Sequence, residues 1–149
     1  MPVQLTPGGT RGPTPRTPPR FVGKLLMPVG NLVFRAMGKK VLKLTTVGAR
    51  SGREHSVSLI YQPDGDNAWL VVASYAGAVK HPAWYYNMAR NPDKIWVETG
   101  GRKQRVEAET LTGEARARAW ERMVTVWPGY AGYQEKTDRL IPVVRLQAV

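Results

Sequence analysis

One stretch decides the fold of this chain, Thr45-Thr46-Val47-Gly48-Ala49-Arg50-Ser51-Gly52-Arg53. It lies between two segments of alternating apolar residues, 41–46 and 55–61, as a turn between two strands does. Its glycines let the backbone turn tightly and approach a ligand closely. Successive amide N–H groups in such a turn can bind an anion, and arginine adds a charged fork for phosphate or carboxylate. The stretch therefore predicts a site for an anionic ligand.

Short strand patterns continue on both sides of this turn. Their length and spacing favour an α+β fold, mainly β with helices, built on a small barrel of about six mostly antiparallel strands. A turn is predicted at residues 63–67 and a hairpin around Gly100-Gly101. The six strands are predicted at residues 41–46, 55–61, 68–74, 94–98, 103–110 and 141–146.

Helical patterns interrupt the strands. Pro82 suits a first helical position, and Asn91-Pro92 ends that helix after Arg90. Thr112 suits the cap of a second helix. An aromatic turn at residues 127–133 is predicted to follow this second helix.

The composition of the 149 residues restricts the function. There is no cysteine, which excludes disulfides, thiolate metal sites and cysteine nucleophiles. His55 and His81 are the only imidazoles, so we expect no metal site. The net charge of +11 attracts polyanions such as nucleic acid, anionic lipid or a phosphorylated small molecule. Because no nucleic-acid-binding motif is recognisable, we do not expect nucleic acid to be the partner.

The chain divides into three parts. Residues 1–20 are rich in Pro, Gly, Thr and Arg and are predicted to form a flexible basic arm. Residues 21–38 predict an apolar N-terminal helix that is too short to span a bilayer. This helix can pack on the core, which we favour, or lie with the arm on an anionic membrane surface. Residues 39–149 are predicted to form the folded domain, which we expect to bind a cofactor. We expect a cytoplasmic protein, with contact to the inner face of the membrane through residues 1–37 as a further possibility.

Two clusters could bind a ligand. Trp84 and Asn87 share a face of the first helix, and Lys80 precedes its N-terminus, where anions are favoured. Three aromatic residues, Trp127, Tyr130 and Tyr133, could wall a pocket for a flat ligand or pack against the barrel. No carboxylate pair or activated nucleophile is apparent. If the protein is an enzyme, we therefore expect a bound cofactor to supply the chemistry.

Several motifs, taken in order, resemble the deazaflavin-dependent nitroreductase family of actinobacteria. The resemblance covers roughly residues 40–146. The motifs are Leu44-Thr45-Thr46-Val47-Gly48-Ala49-Arg50-Ser51-Gly52, Val72-Ala73-Ser74, Gly77-Ala78-Val79-Lys80-His81-Pro82-Ala83-Trp84-Tyr85-Tyr86-Asn87, Asn91-Pro92, Val126-Trp127-Pro128-Gly129-Tyr130-Ala131-Gly132-Tyr133-Gln134 and Thr137-Asp138-Arg139-Leu140-Ile141-Pro142-Val143.

The resemblance implies a split β-barrel similar to flavin reductases and pyridoxamine oxidases. It also implies coenzyme F-420, an 8-hydroxy-5-deazaflavin with a phospholactyl-oligoglutamate tail, as the hydride donor. The acceptors of the family are electron-poor quinones, activated enones or nitro compounds. The positions implied for the cofactor are Ala49, Arg50, Ser51, Gly52, Arg53, His55, Ser58, Ser74, Tyr75, Ala76, Gly77, Lys80, Ala83, Trp84 and Asn87, and those for the acceptor are Ser74, Trp127, Tyr130 and Tyr133.

Three positions depart from the family pattern. His55 stands where arginine is common, with Arg53 as a possible substitute two residues earlier, and Ser58 stands where proline is usual. Trp127 stands where the nitroimidazole-activating member has tyrosine. Two alternatives stay open on the sequence. One is an FMN-dependent oxidoreductase with the same barrel, and the other is a non-enzymatic module that binds lipid, quinone or nucleic acid. The oligomeric state is open as well.

Overall fold

The fold is an antiparallel sheet that curls into a split barrel, with three helices on it. This computed structural model describes residues 3–14 and 38–149. The strands are β1 (Val41–Val47), β2 (Glu54–Ile60), β3 (Gln62–Pro63), β4 (Ala68–Val72), β5 (Ile95–Thr99), β6 (Arg102–Thr110) and β7 (Val143–Ala148), and the helices are α1 (Ala83–Arg90), α2 (Gly113–Val126) and α3 (Gly129–Glu135).

The order of the strands in the sheet is β2-β1-β5-β6-β7-β4-β3, and all neighbours are antiparallel. The two outer strands, β2 and β3, are consecutive in the chain, with Tyr61 between them. The sheet therefore closes on itself through one continuous segment. The long strand β6 pairs with β5 at its start and with β7 at its end, so it connects the two halves of the barrel.

Two apolar cores lie on opposite sides of β4. Trp69 and Val71 belong to the core inside the barrel, together with Trp84 and Met88 of α1. Leu70 and Val72 belong to a second core, which α2 and α3 cover. Because both faces of β4 are buried, its sequence is continuously apolar and does not alternate.

The six predicted strands, the turn at 63–67 and the hairpin at Gly100-Gly101 are confirmed, with boundaries that differ by one or two residues. Thr112 occupies the N-cap position of α2 as predicted, although its hydroxyl makes no capping hydrogen bond. The predicted aromatic turn is wrong, since residues 129–135 form α3. Two glycines and a preceding proline gave this segment the composition of a turn, while its packing on the second core supports a helix.

Residues 3–14, here the N-terminal segment, differ from the flexible arm expected at 1–20. Val3 is buried in the core inside the barrel. The Gly9 N–H donates to the Val79 carbonyl oxygen, and the Val79 N–H donates to the Pro13 carbonyl oxygen. The Asp138 carboxylate accepts the amide N–H groups of Thr10 and Arg11, each at 2.8 Å. This polar segment is thus held on the fold mainly by hydrogen bonds to distant loops, because it buries little apolar surface. The predicted helix at 21–38 and residues 15–20 lie outside the described residues, apart from Gly38.

His81 lies under the N-terminal segment and is buried. Its Nε2–H donates to the Thr6 carbonyl oxygen at 2.8 Å, and its Nδ1 accepts from Arg139 at 2.9 Å. Burial lowers the pKa of His81, and the nearby Arg139 charge lowers it further. The imidazole is therefore neutral, with a fixed tautomer. Within residues 3–14 and 38–149 no helix has the length and apolar character needed to cross a membrane.

Acid should release the N-terminal segment at Asp138. The Asp138 carboxylate accepts hydrogen bonds from the Thr10 hydroxyl and from the backbone N–H groups of Arg11 and Thr10. These hydrogen bonds lower the pKa of Asp138 to about 2. The stability that this carboxylate contributes is present above its ordinary pKa of 3.8 and is lost as pH falls toward about 2. An NMR titration of the Asp138 carboxyl carbon measures this directly. Thr10→Val should move the transition toward 3.8, and a wild-type pKa near 3.8 would show that the contact is absent.

His81 should make the fold less stable in mild acid. The unfolded chain takes up a proton near pH 6.5, while the folded state keeps the imidazole neutral below that pH. Stability is therefore complete above about 6.5 and declines as pH falls, by up to about 1.4 kcal/mol per pH unit. Urea unfolding between pH 7.5 and 5 measures the slope. His81→Asn should flatten this pH dependence of stability relative to the wild-type protein; an equal slope in variant and wild type would contradict this role.

Candidate functional site

A groove of about 1100 Å³ runs between the β1–β2 turn, the start of α1 and the loop after β4. Ten of the residues predicted for the site line it: Ala49, Arg50, Ser51, His55, Ser74, Tyr75, Lys80, Ala83, Trp84 and Asn87. The sequence analysis missed eight further lining residues: Thr46, Gly48, Ser56, Val57, Leu59, Val72, Pro82 and Tyr86.

The β1–β2 connection, residues 48–53 and here the basic turn, forms one end of the groove. The turn is closed by hydrogen bonds from Gly48 N to Arg53 O and from Gly52 N to Gly48 O. A Cβ on Gly48 would meet the Ser51 hydroxyl, which would then have to turn away from the Arg53 N–H that it accepts. Arg50 and Arg53 are exposed at its tip.

Two amide N–H groups of the basic turn are free to bind a ligand. Within the described part of the chain, the backbone N–H groups of Arg50 and Ser51 have no protein acceptor. Arg50 and Lys80 both line the groove, and its lining residues include no aspartate or glutamate. Paired backbone donors next to cationic side chains form an anion-binding site.

Asn87 fixes the basic turn to α1. Its side chain is buried, accepts the Ala49 N–H at 3.0 Å and donates to the Thr46 hydroxyl at 3.1 Å. Just after the end of α1, Asn91 donates to the Val47 carbonyl at 3.1 Å. These bonds hold the basic turn and the end of β1 against α1.

The middle of the groove is apolar. Val57 and Leu59 of β2 face the groove from one side, and Ala83 and Trp84 of α1 face it from the other. The alternation of β2 was visible in the sequence and was the signal that could have placed Val57 and Leu59 in the site. Ser58 lies between them and does not line the groove; its hydroxyl is buried without a hydrogen-bond partner.

The loop after β4 forms the other end of the groove. Ser74 and Tyr75 line it, and a tight left-handed turn, Tyr75–Gly77, follows. Tyr75 and Ala76 have φ values of 45° and 52°, a conformation that costs about 1–3 kcal/mol for each non-glycine residue. Gly77 has φ of 77°, and a Cβ there would collide with the Tyr133 carbonyl. The backbone of α3 thus packs directly on this turn.

A buried arginine holds the strained loop. Arg139 is 1% exposed and donates to the carbonyl oxygens of Ala73, Ser74 and Ala78 at 3.0, 2.8 and 3.0 Å. It also donates to His81 Nδ1. Burial lowers the pKa of Arg139. No site role for Arg139 or His81 could be predicted from the motifs that contain them, because carbonyl partners leave no signature in a sequence.

The three aromatic residues predicted for the acceptor wall lie elsewhere. Tyr130 is buried in the second core, and Trp127 and Tyr133 pack against that core. None of them is among the described residues that line the groove, and their assignment to the acceptor stays a prediction. Burial raises the pKa of the Tyr130 phenol, with a smaller contribution from Tyr133. A phenol with a raised pKa is a weaker acid and donates its proton less readily.

The remaining predicted positions lie close to the groove without lining it. Gly52 and Arg53 belong to the basic turn, and Ala76 and Gly77 belong to the left-handed turn. Among the described residues, no group of three or more His, Cys, Asp or Glu side chains is arranged to hold a metal ion.

Comparisons with known proteins agree with this architecture. The F420H(2)-dependent quinone reductase Rv1261c of Mycobacterium tuberculosis is 32% identical over 140 residues, which cover 85% of this chain and 93% of the relative. A solved F420-H2 dependent reductase, FDR-A, is 38% identical and superposes on this chain with a TM-score of 0.65. The match covers 72% of this chain and 94% of the FDR-A chain. HutZ, a heme storage protein from Vibrio cholerae, shares the fold at 16% identity, with a TM-score of 0.55 and coverage of 83% and 90%.

The family model described as F420H(2)-dependent quinone reductase matches residues 22–148, nearly the whole chain. This match and the relatives confirm the resemblance to deazaflavin-dependent reductases that the sequence motifs predict. The chain is a member of the F420H(2)-dependent quinone reductase family.

Proposed function

We propose a division of the groove among three parts of the reaction. The basic turn holds the phosphate and glutamate tail of coenzyme F-420, the apolar middle holds the deazaflavin ring, and Ser74 contacts the acceptor. Family membership makes the chain an F-420-dependent oxidoreductase that transfers a hydride to quinone-type acceptors. The residue assignments are our own.

One observation carries this assignment: the free amide N–H groups of Arg50 and Ser51 lie at one end of a groove whose middle is apolar. A ligand with a flat ring and a polyanionic tail fits this combination. The volume of about 1100 Å³ is at the upper end for small-molecule sites, as such a long cofactor requires. The residues present therefore fit the cofactor.

The groove residues have positioning tasks. Bound coenzyme F-420 supplies the hydride, and the chain needs no metal or nucleophile of its own. Trp84 and the apolar β2 residues flatten the ring site and exclude water from it. The basic turn fixes the cofactor along the groove, so that the acceptor can meet the ring face to face. Alignment of this kind contributes on the order of 7–11 kcal/mol to a two-reactant step.

Ser74 is the acceptor-side residue that the groove supports best. It lines the groove next to the apolar middle, on a loop that the fold holds in one conformation. Its hydroxyl can donate to a quinone oxygen as negative charge develops there. We assign Tyr130 and Tyr133 of α3 an indirect part, because α3 supports the left-handed turn that follows Ser74, and Trp127, just before α3, packs on the same core.

Family membership does not favour the alternative cofactor FMN, and it argues against a non-enzymatic module. The fold gives no support for membrane contact through residues 1–37, since residues 3–14 bind the barrel and 15–37 lie outside the described residues. We infer a cytoplasmic location, and we propose quinones ahead of enones and nitro compounds as acceptors.

Arg50→Ala should weaken the binding of oxidised coenzyme F-420. The variant removes a charge-assisted contact of about 1.5 kcal/mol, so the Kd should rise roughly tenfold. A fluorescence titration at low salt measures the change. Arg118→Ala is the matched control, because it removes an equal exposed charge from α2. Equal affinities for the two variants would remove the tail site from the basic turn.

Ser74→Ala should slow the acceptor step. We expect kcat with a soluble quinone such as menadione to fall about tenfold or more, while the Kd for coenzyme F-420 stays within about twofold. Ser74→Thr keeps a hydroxyl and should retain most of the activity. A loss of cofactor affinity equal to the loss of kcat would place Ser74 on the cofactor instead.

A further inference from the structure

One guanidinium holds both peptide groups that flank Ser74. Arg139 Nη1 donates to the Ala73 carbonyl at 3.0 Å, and Nη2 donates to the Ser74 carbonyl at 2.8 Å. These two carbonyls belong to the peptide planes before and after the Ser74 Cα. Since a peptide group is planar, fixing both carbonyls fixes the direction in which the Ser74 side chain leaves the backbone.

The same side chain closes the far end of the loop. Arg139 Nε donates to the Ala78 carbonyl at 3.0 Å, so one rigid fork spans the left-handed turn from Ser74 to Ala78. Within the turn, the Gly77 N–H bonds the Ser74 carbonyl at 2.9 Å. A strained backbone persists where its surroundings determine it more than once, and here Arg139 is one of those constraints.

The orientation of the fork is itself fixed. His81 Nδ1 accepts from Nη1 at 2.9 Å, and His81 is held by the Thr6 carbonyl of the N-terminal segment. Arg139 is 1% exposed and does not line the groove, so its effect on a ligand must pass through the loop. Lysine would preserve the charge at this site but not the planar set of donors.

We propose that Arg139 is a positioning residue for hydride transfer to the acceptor: it acts through Ser74, whose side chain it aims into the groove. This inference rests on the proposed function of Ser74. The inference predicts that the effects on kcat of substitutions at Arg139, which is buried outside the groove, and at Ser74, which lines it, are coupled.

A double-mutant cycle tests this coupling. The variants are Arg139→Lys, which keeps the charge and loses the fork, and Arg139→Met, which loses both, each made in the wild-type and the Ser74→Ala backgrounds. Arg116→Met is the control, because Arg116 is a partly buried arginine that donates to one carbonyl, Ile141, away from the groove. Each protein is assayed with reduced coenzyme F-420 and menadione, and its affinity for oxidised coenzyme F-420 is titrated.

Arg139→Lys should lower kcat about tenfold, with the KM for menadione and the cofactor Kd within about threefold of wild type. In the Ser74→Ala background the same substitution should change kcat less than about twofold, because the group through which it acts is gone. In the ligand-free protein, amide hydrogen exchange should accelerate at residues 74–78 in the Arg139 variants and not in Arg116→Met.

A purely structural role would lower thermal stability and give equal kcat losses in both backgrounds, which would overturn the proposal. A kcat for Arg139→Lys equal to that of Arg116→Met would also overturn it. If Arg139→Met does not fold, the lysine variant decides the question. Failure of the wild type to bind coenzyme F-420 would remove the proposed function and this inference together, whereas normal wild-type turnover with an unaffected Arg139→Lys would remove only the inference.

Discussion

The Ser74 end of the groove depends on the buried positive charge of Arg139, which backbone carbonyl dipoles stabilise. Burying an arginine is costly unless its donors are satisfied, and Arg139 uses four of its five N–H donors on three backbone carbonyls and His81. Within the described residues no carboxylate forms an ion pair with it. The charge therefore requires the loop after β4 to keep its carbonyls turned inward, and any rearrangement of that loop would leave buried donors unpaired.

This requirement explains why several distant segments meet at one place. His81 must stay neutral to accept from Arg139, and burial under the N-terminal segment keeps it so. The left-handed turn places Gly77 against the backbone of α3, which in turn lies on the second core. Packing of α3, burial of His81 and strain in the turn are thus linked through one side chain, and each stabilises the others.

The sequence predicted the parts of the fold whose causes are local. Alternation predicted the strands, and the glycines and arginines of the basic turn predicted an anion site, because such signals come from neighbouring residues. The N-terminal segment was mispredicted because its hydrogen bonds reach Val79, His81 and Asp138, far along the chain. The aromatic residues of α3 look alike in sequence whether they face a ligand or a core, and only the position of α3 distinguishes the two.

The two ends of the groove therefore differ in how many distant segments of the chain they need. The basic turn closes within six residues, and among the described residues the side chains of Asn87 and Asn91 bond its backbone or the end of β1 next to it, so the proposed tail site can survive changes elsewhere. The Ser74 end needs Arg139, His81, α3 and the N-terminal segment together. Of the three departures from the family pattern, His55 lies at the groove, whereas Ser58 and Trp127 do not line it. On the proposed division of the groove, a substitution far from the ligand can therefore alter the acceptor end while leaving the cofactor end intact, and differences in acceptor between relatives are expected to arise at the Ser74 end.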